Sequence, residues 1–162
     1  MTRIYTFFLI LLSFATTAQV ISERDRAVVV DDILEDRFNT LLPKLMDRAD
    51  IDMWILISRE YNEDPVLKTM LPATWLNARR RTILVFYRDQ EKNTIEKLAV
   101  ARYNIGKSIT SAWDKEKEPD QWKALTKIIE ARNPKKIGLN YSDNFGLADG
   151  IVRTDYNEFL EA

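Results

Sequence analysis

Two short apolar runs organise this chain. Met53-Trp54-Ile55-Leu56-Ile57 and Thr82-Ile83-Leu84-Val85-Phe86-Tyr87 are continuous, and each ends in charged or turn-forming residues. Runs this short, without polar alternation, predict central strands buried on both faces. Between them, YNEDPVLKTMLPATW carries two prolines and an Asn-Glu-Asp cluster, which predicts a long connection with a helical turn or two. Upstream, Ile33, Leu34, Phe38, Leu41, Leu42, Leu45, Met46 and Ala49 recur at three- and four-residue steps from Asp31 onward. That periodicity predicts an amphipathic helix packed on a sheet, with Pro43 kinking it or restarting it near Leu42. Gln19 to Ala27 reads as a polar leader.

Downstream, Arg88 to Asn93 is a polar turn and Ile95 to Tyr103 returns as a strand, an antiparallel hairpin partner for Thr82 to Tyr87. Asn104 to Glu118 reads as a connecting loop with room for another short strand. Pro119 opens a helix carrying Trp122, Leu125, Ile128 and Ile129, closed by Asn133-Pro134. The strand Lys136 to Asn140 follows it directly, which suggests a crossover and some parallel pairing. A loop rich in Asn, Asp, Gly and Ser leads to a last helix, Asp155 to Glu161, capped by Thr154. Its Tyr156, Phe159 and Leu160 need cover, and are expected to form an exposed apolar patch if the chain is a truncated piece.

Composition narrows the chemistry. The 162 residues suit one domain, and 24 basic against 25 acidic residues leave a net charge of −1. That balance argues against a nucleic-acid footprint. The basic cluster Arg79-Arg80-Arg81 reads as a solvated strand end with one arginine paired to a carboxylate. With no cysteine and no histidine anywhere, thiol nucleophiles, disulfides, imidazole bases and Cys or His metal ligands are excluded within this chain. The carboxylate pairs Asp31/Asp32, Glu63/Asp64 and Asp143/Asp149 are better explained as caps and turns than as acid-base sites. Asp143-Asn144 with Asp149 lacks the ligand spacing of a calcium loop. Lys107-Ser108 after Gly106 lacks the phosphate-loop pattern.

Met1 to Ala18 has the parts of a secretory signal: Arg3, the apolar Phe7 to Leu12, and small residues at Ala15 to Ala18. The apolar run falls short of the ~20 residues a membrane span needs. Cleavage after Ala18 is expected, leaving residues 19–162 as an exported domain. Loss of Arg3, the only charged residue in that segment, leaves 23 basic against 25 acidic residues, a net −2.

The succession DIDMWILISREYNEDP, WLNARRRTILVFYRD and KKIGLNYSDNFGLADGI, covering roughly Arg26 to Ala162, resembles the N-terminal domain of the creatinase/prolidase/Xaa-Pro aminopeptidase family of metallopeptidases. The resemblance implies an α/β fold, a mixed β-sheet flanked by helices in a ribonuclease-H-like layout. It also implies a parent enzyme that cleaves next to proline with two divalent ions, manganese, cobalt or zinc. In that family the ligands are two Asp, one His and two Glu on a separate C-terminal domain, so none carries over to a position here. The expected partners are that catalytic domain, in the same polypeptide, and further copies of the chain; neither nucleic acid nor a membrane span is expected. Because the family's N-terminal domain can wall a neighbouring subunit's cleft, Tyr61, Asn62 and Trp75 are candidates for a substrate rim or interface. Two expectations stand: a noncatalytic N-terminal domain or fragment of an exported Xaa-Pro peptidase-like protein, or a standalone exported binding domain. A creatinase-like amidinohydrolase parent would share the architecture.

Overall fold

The structure is a computed structural model that describes residues 20–144, 146 and 150–162; the expected signal segment and Asp149 lie outside them. Its centre is a five-stranded mixed sheet in the order β4-β3-β2-β1-β5, made of β1 (Met53–Arg59), β2 (Arg81–Asp89), β3 (Thr94–Ala99), β4 (Thr110–Ser111) and β5 (Ile137–Leu139). Strands β1, β2 and β3 pair antiparallel, while β5 joins β1 and β4 joins β3 in parallel. The hairpin and the parallel pairing fall where the sequence predicts them. The expected strand through Tyr103 ends earlier, at Ala99, because the backbone turns away to build the loop before β4.

The two apolar runs occupy β1 and β2 and are buried on both sides, which splits the core into two clusters. On one face Leu56, Leu84 and Phe86 pack against Leu34, Phe38, Leu42 and Met46 of the N-terminal helices. The Phe38 and Phe86 rings meet at 5.6 Å between centroids. On the other face Ile55, Ile57, Ile83 and Val85 pack against Leu125 and Ile128 of α4 (Gln121–Arg132). Tyr156 and Phe159 of α5 (Arg153–Glu161) join that second cluster. The expected C-terminal patch is therefore largely covered by the sheet's own face, and of its three residues Leu160 alone is exposed.

Proline and capping chemistry set the helix limits. The N-terminal helix runs as α1 (Glu23–Asp36), passes through a π-helical turn (Arg37–Leu41), and restarts as α2 (Leu42–Ala49) with Pro43 in its first turn. Pro43 has no N–H to donate backward, and the widened turn absorbs the missing bond. The helix starts well before Asp31, so the expected leader is helical from Glu23. Ser22 caps it, accepting from Asp25 N at 3.2 Å. In α1 only Leu34 is buried while Val28, Val29 and Val30 are exposed, so the apolar positions do not trace one face there. Two other starts differ from expectation. Asp120 caps α4, its carboxylate accepting from Trp122 N, and Pro119 lies before the helix. The last helix begins at Arg153 with Val152 at the cap position, so Thr154 lies inside it and caps nothing. Among the described residues no helix is long and apolar enough to cross a membrane.

Candidate functional site

The register of β1 and β2 places Arg59 opposite Arg81 at the end where β1 stops and β2 begins. Like charges directly opposite each other on a sheet repel, and the fold resolves this with two carboxylates of α5, Asp155 and Glu158. Asp155, fully buried on α5, accepts from Arg59 Nε at 3.0 Å and Nη2 at 2.6 Å and from Arg81 Nε at 3.0 Å. The hydrogen bonds that the Arg59 guanidinium donates to Asp155 hold it above its ordinary pKa. Glu158 completes the network, accepting from Arg81 Nη2 and from Trp122 Nε1, both at 2.6 Å, and the Arg81 guanidinium lies 4.6 Å over the Trp122 ring. One arginine of the basic triplet is thus spent on structure, as the strand-end reading requires.

The other two are not. Arg79 and Arg80 are exposed in a turn that the backbone pins tightly. Thr82 Oγ1 accepts from Arg79 N at 2.9 Å, the Glu60 carboxylate accepts from Arg80 N at 3.2 Å, and Glu60 N donates to Arg80 O at 2.7 Å. Arg80 sits at φ +54° and Tyr61, just past β1, at φ +69°. Left-handed backbone of this kind is uncommon for residues other than Gly, Asn and Asp and costs ~1–2 kcal/mol each. Of the non-glycine residues with positive φ, Asp50 and Asn133 terminate helices and Asn93 closes the β2–β3 hairpin. The two strained positions flank the same end of the sheet.

That end carries a cleft of about 450 Å³. Arg79, Arg80, Arg102 and Lys115 supply its unpaired positive charge beside the paired Arg81; Trp75, Tyr103 and Trp113 supply flat walls; Glu60 is its one acidic side chain. Sheet topology gathers these residues, because the loops leaving β1, β3 and β4 all emerge here. Gln121 ties the floor together, donating through Nε2 to Arg81 O at 3.2 Å and Val100 O at 2.6 Å. Ser111 Oγ donates to Ala101 O at 2.6 Å, holding the Arg102 segment to β4. Trp113 Nε1 donates to Glu118 O at 2.7 Å, and Arg79 lies 5.4 Å over the Trp75 ring. Among the described residues no carboxylate pairs with Arg79, Arg80, Arg102 or Lys115.

The predicted rim residues separate. Trp75 is half-buried and lines the cleft, whereas Tyr61, 90 % exposed, and Asn62 lie beyond it on the turn after β1. Arg102, Tyr103, Trp113 and Lys115 were not legible as a site. The available signal was a cation beside an aromatic at the end of each short strand, in Arg102-Tyr103 and Trp113-Asp114-Lys115.

The flagged carboxylates have other work. Asp64 is buried at the start of α3 (Pro65–Thr69), where it accepts from Val66 N at 2.7 Å and Asn140 Nδ2 at 2.6 Å. Burial raises its pKa above the ordinary aspartate value, against the lowering effect of those hydrogen bonds. Asn140 in turn accepts from Trp54 Nε1 at 2.7 Å. Asp31 accepts from Ala73 N at 2.8 Å, tying α1 to the loop before β2. A two-metal centre of the kind the resemblance implies for its parent does not fit this chain: histidine is absent from it. Among the described residues, no three of its carboxylates come together to hold an ion.

Comparison with known proteins returns no match, whether to family models, to curated proteins or to solved structures.

Proposed function

We propose that this chain is a noncatalytic N-terminal domain of an exported Xaa-Pro peptidase-like metallohydrolase, contributing subunit association and the edge of a substrate cleft. The observation that carries this reading is the open basic and aromatic cleft lined by Trp75 at the end of β1 and β2, with the exposed Tyr61 turn beside it. A module that binds and positions needs this kind of concave polar surface and no proton-transfer pair. The structural employment of Asp31, Asp64 and Asp155 supports the same reading. The manganese, cobalt or zinc pair, and the His and acidic residues that hold it, belong to a C-terminal catalytic domain of the same polypeptide. The same cleft also favours a second reading, a standalone exported binding domain.

Incubating the purified chain with a Xaa-Pro dipeptide and manganese tests the noncatalytic assignment. No turnover is expected; reproducible turnover abolished by a chelator would overturn it.

A further inference from the structure

We propose that the cleft at the end of β1 and β2 is a binding site for a small organic polyanion carrying a flat ring. Unsatisfied charge comes first. Five cations line the cleft, and one of them, Arg81, is paired with Asp155 and Glu158; no described carboxylate pairs with the other four, Arg79, Arg80, Arg102 and Lys115, and Glu60 is the acidic side chain among the lining residues. A single carboxylate satisfies one guanidinium fork, so an excess near three positive charges selects a ligand of two or more negative charges.

Shape comes second. The volume of about 450 Å³ is that of a small-molecule pocket. Tyr103 and Trp113 give it aromatic surfaces for a planar group, while Trp75, covered by Arg79 and packed on the core, forms a fixed wall. The third observation is construction. The Arg79-Arg80 turn holds a strained left-handed residue, and three hydrogen bonds fix it there: Arg79 N donates to Thr82 Oγ1, Arg80 N to the Glu60 carboxylate, and Glu60 N to Arg80 O. Strain retained in that way marks a preset surface. Two sources offer the required chemistry, a nucleotide with its phosphates or an aromatic polycarboxylate. The inference goes beyond the peptidase reading and stands or falls on this chain's own cleft.

Titration calorimetry of the full chain at low salt, with ADP, trimesate and pyrophosphate as separate probes, tests it. At least one of ADP and trimesate binds tenfold or more tighter than pyrophosphate, and which of them does so identifies the source. Arg102→Ala weakens that probe about tenfold, and raised sodium chloride weakens it further. Tyr103 is largely exposed, so Tyr103→Ala leaves the fold intact. It weakens the ring-bearing probe about tenfold while leaving pyrophosphate unchanged. Pyrophosphate binding as tightly as both ring-bearing probes overturns the flat-ring requirement. Absence of binding by all three at millimolar concentration, with an unchanged thermal melt, overturns the site.

Discussion

Replacing Asp155 by asparagine removes the buried one of two negative charges that the facing guanidiniums of Arg59 and Arg81 share. The carboxylate is wholly buried, while the Arg59 and Arg81 side chains remain 40 % and 21 % exposed. Its bonds to Arg59 and Arg81 are charge-assisted and short, 2.6 to 3.1 Å. In the variant an amide NH2 replaces one carboxylate oxygen and faces groups that can only donate, and the opposed arginines on β1 and β2 are left with Glu158 alone, 2.6 Å from Arg81 Nη2 and 4.0 Å from Arg59 Nη2. Removing one partner of a buried pair costs ~3–5 kcal/mol. Because both arginines retain some water, the lower end applies, about 3 kcal/mol. For a chain of this length each kcal/mol moves Tm by roughly 2–4 °C, so circular dichroism should report a fall of about 6–12 °C. Arg59→Ala together with Asp155→Ala should cost less than the two single changes summed, with a coupling of ~1–3 kcal/mol. A loss below about 1 kcal/mol on Asp155→Asn, or strict additivity in the cycle, refutes the reasoning.

Three further outcomes follow from named contacts. A Cβ on Gly150 would stand 2.2 Å from Asp64 Oδ2, so Gly150→Ala should lose ~1–3 kcal/mol in urea unfolding; wild-type stability would contradict that packing. Asp64 binds its proton more tightly folded than unfolded, because burial raises its pKa above 3.8. Its contribution is therefore complete below that value and is lost as pH rises through the folded value, so wild-type stability relative to Asp64→Asn falls with rising pH. Melts of both proteins at acid and near-neutral pH check the sign, and a relative stability that grows with pH runs against it. Tyr61→Gly should stabilise by about 1 kcal/mol, since it relieves a left-handed backbone and removes almost no buried contact. Destabilisation would mean that the Tyr61 ring packs on something essential.

How much the sequence disclosed depended on the range of the interactions involved. Strands β1 and β2 were legible because burial on both faces leaves an uninterrupted apolar run. The restart at Leu42 was legible because proline acts through its own backbone. The start of α1 was not, since Val28, Val29 and Val30 face outward and break the periodicity; Ser22 with Asp25 was the local sign. The burial of Asp155 was hidden because it depends on a repulsion between Arg59 and Arg81, which exists only in one strand register. The cleft was hidden for the same reason: Arg79, Arg102 and Lys115 are brought together only once β3 pairs with β2 and β4 with β3.

The central claim is that this domain serves a larger exported hydrolase. It is tested most directly by the intact mass of the native protein recovered from the exported fraction of its own cells. A mass about two to three times the 19.0 kDa of this chain is expected, which leaves room for a further domain of ordinary size. A mass equal to residues 19–162 alone would contradict it and leave the standalone binding domain in its place.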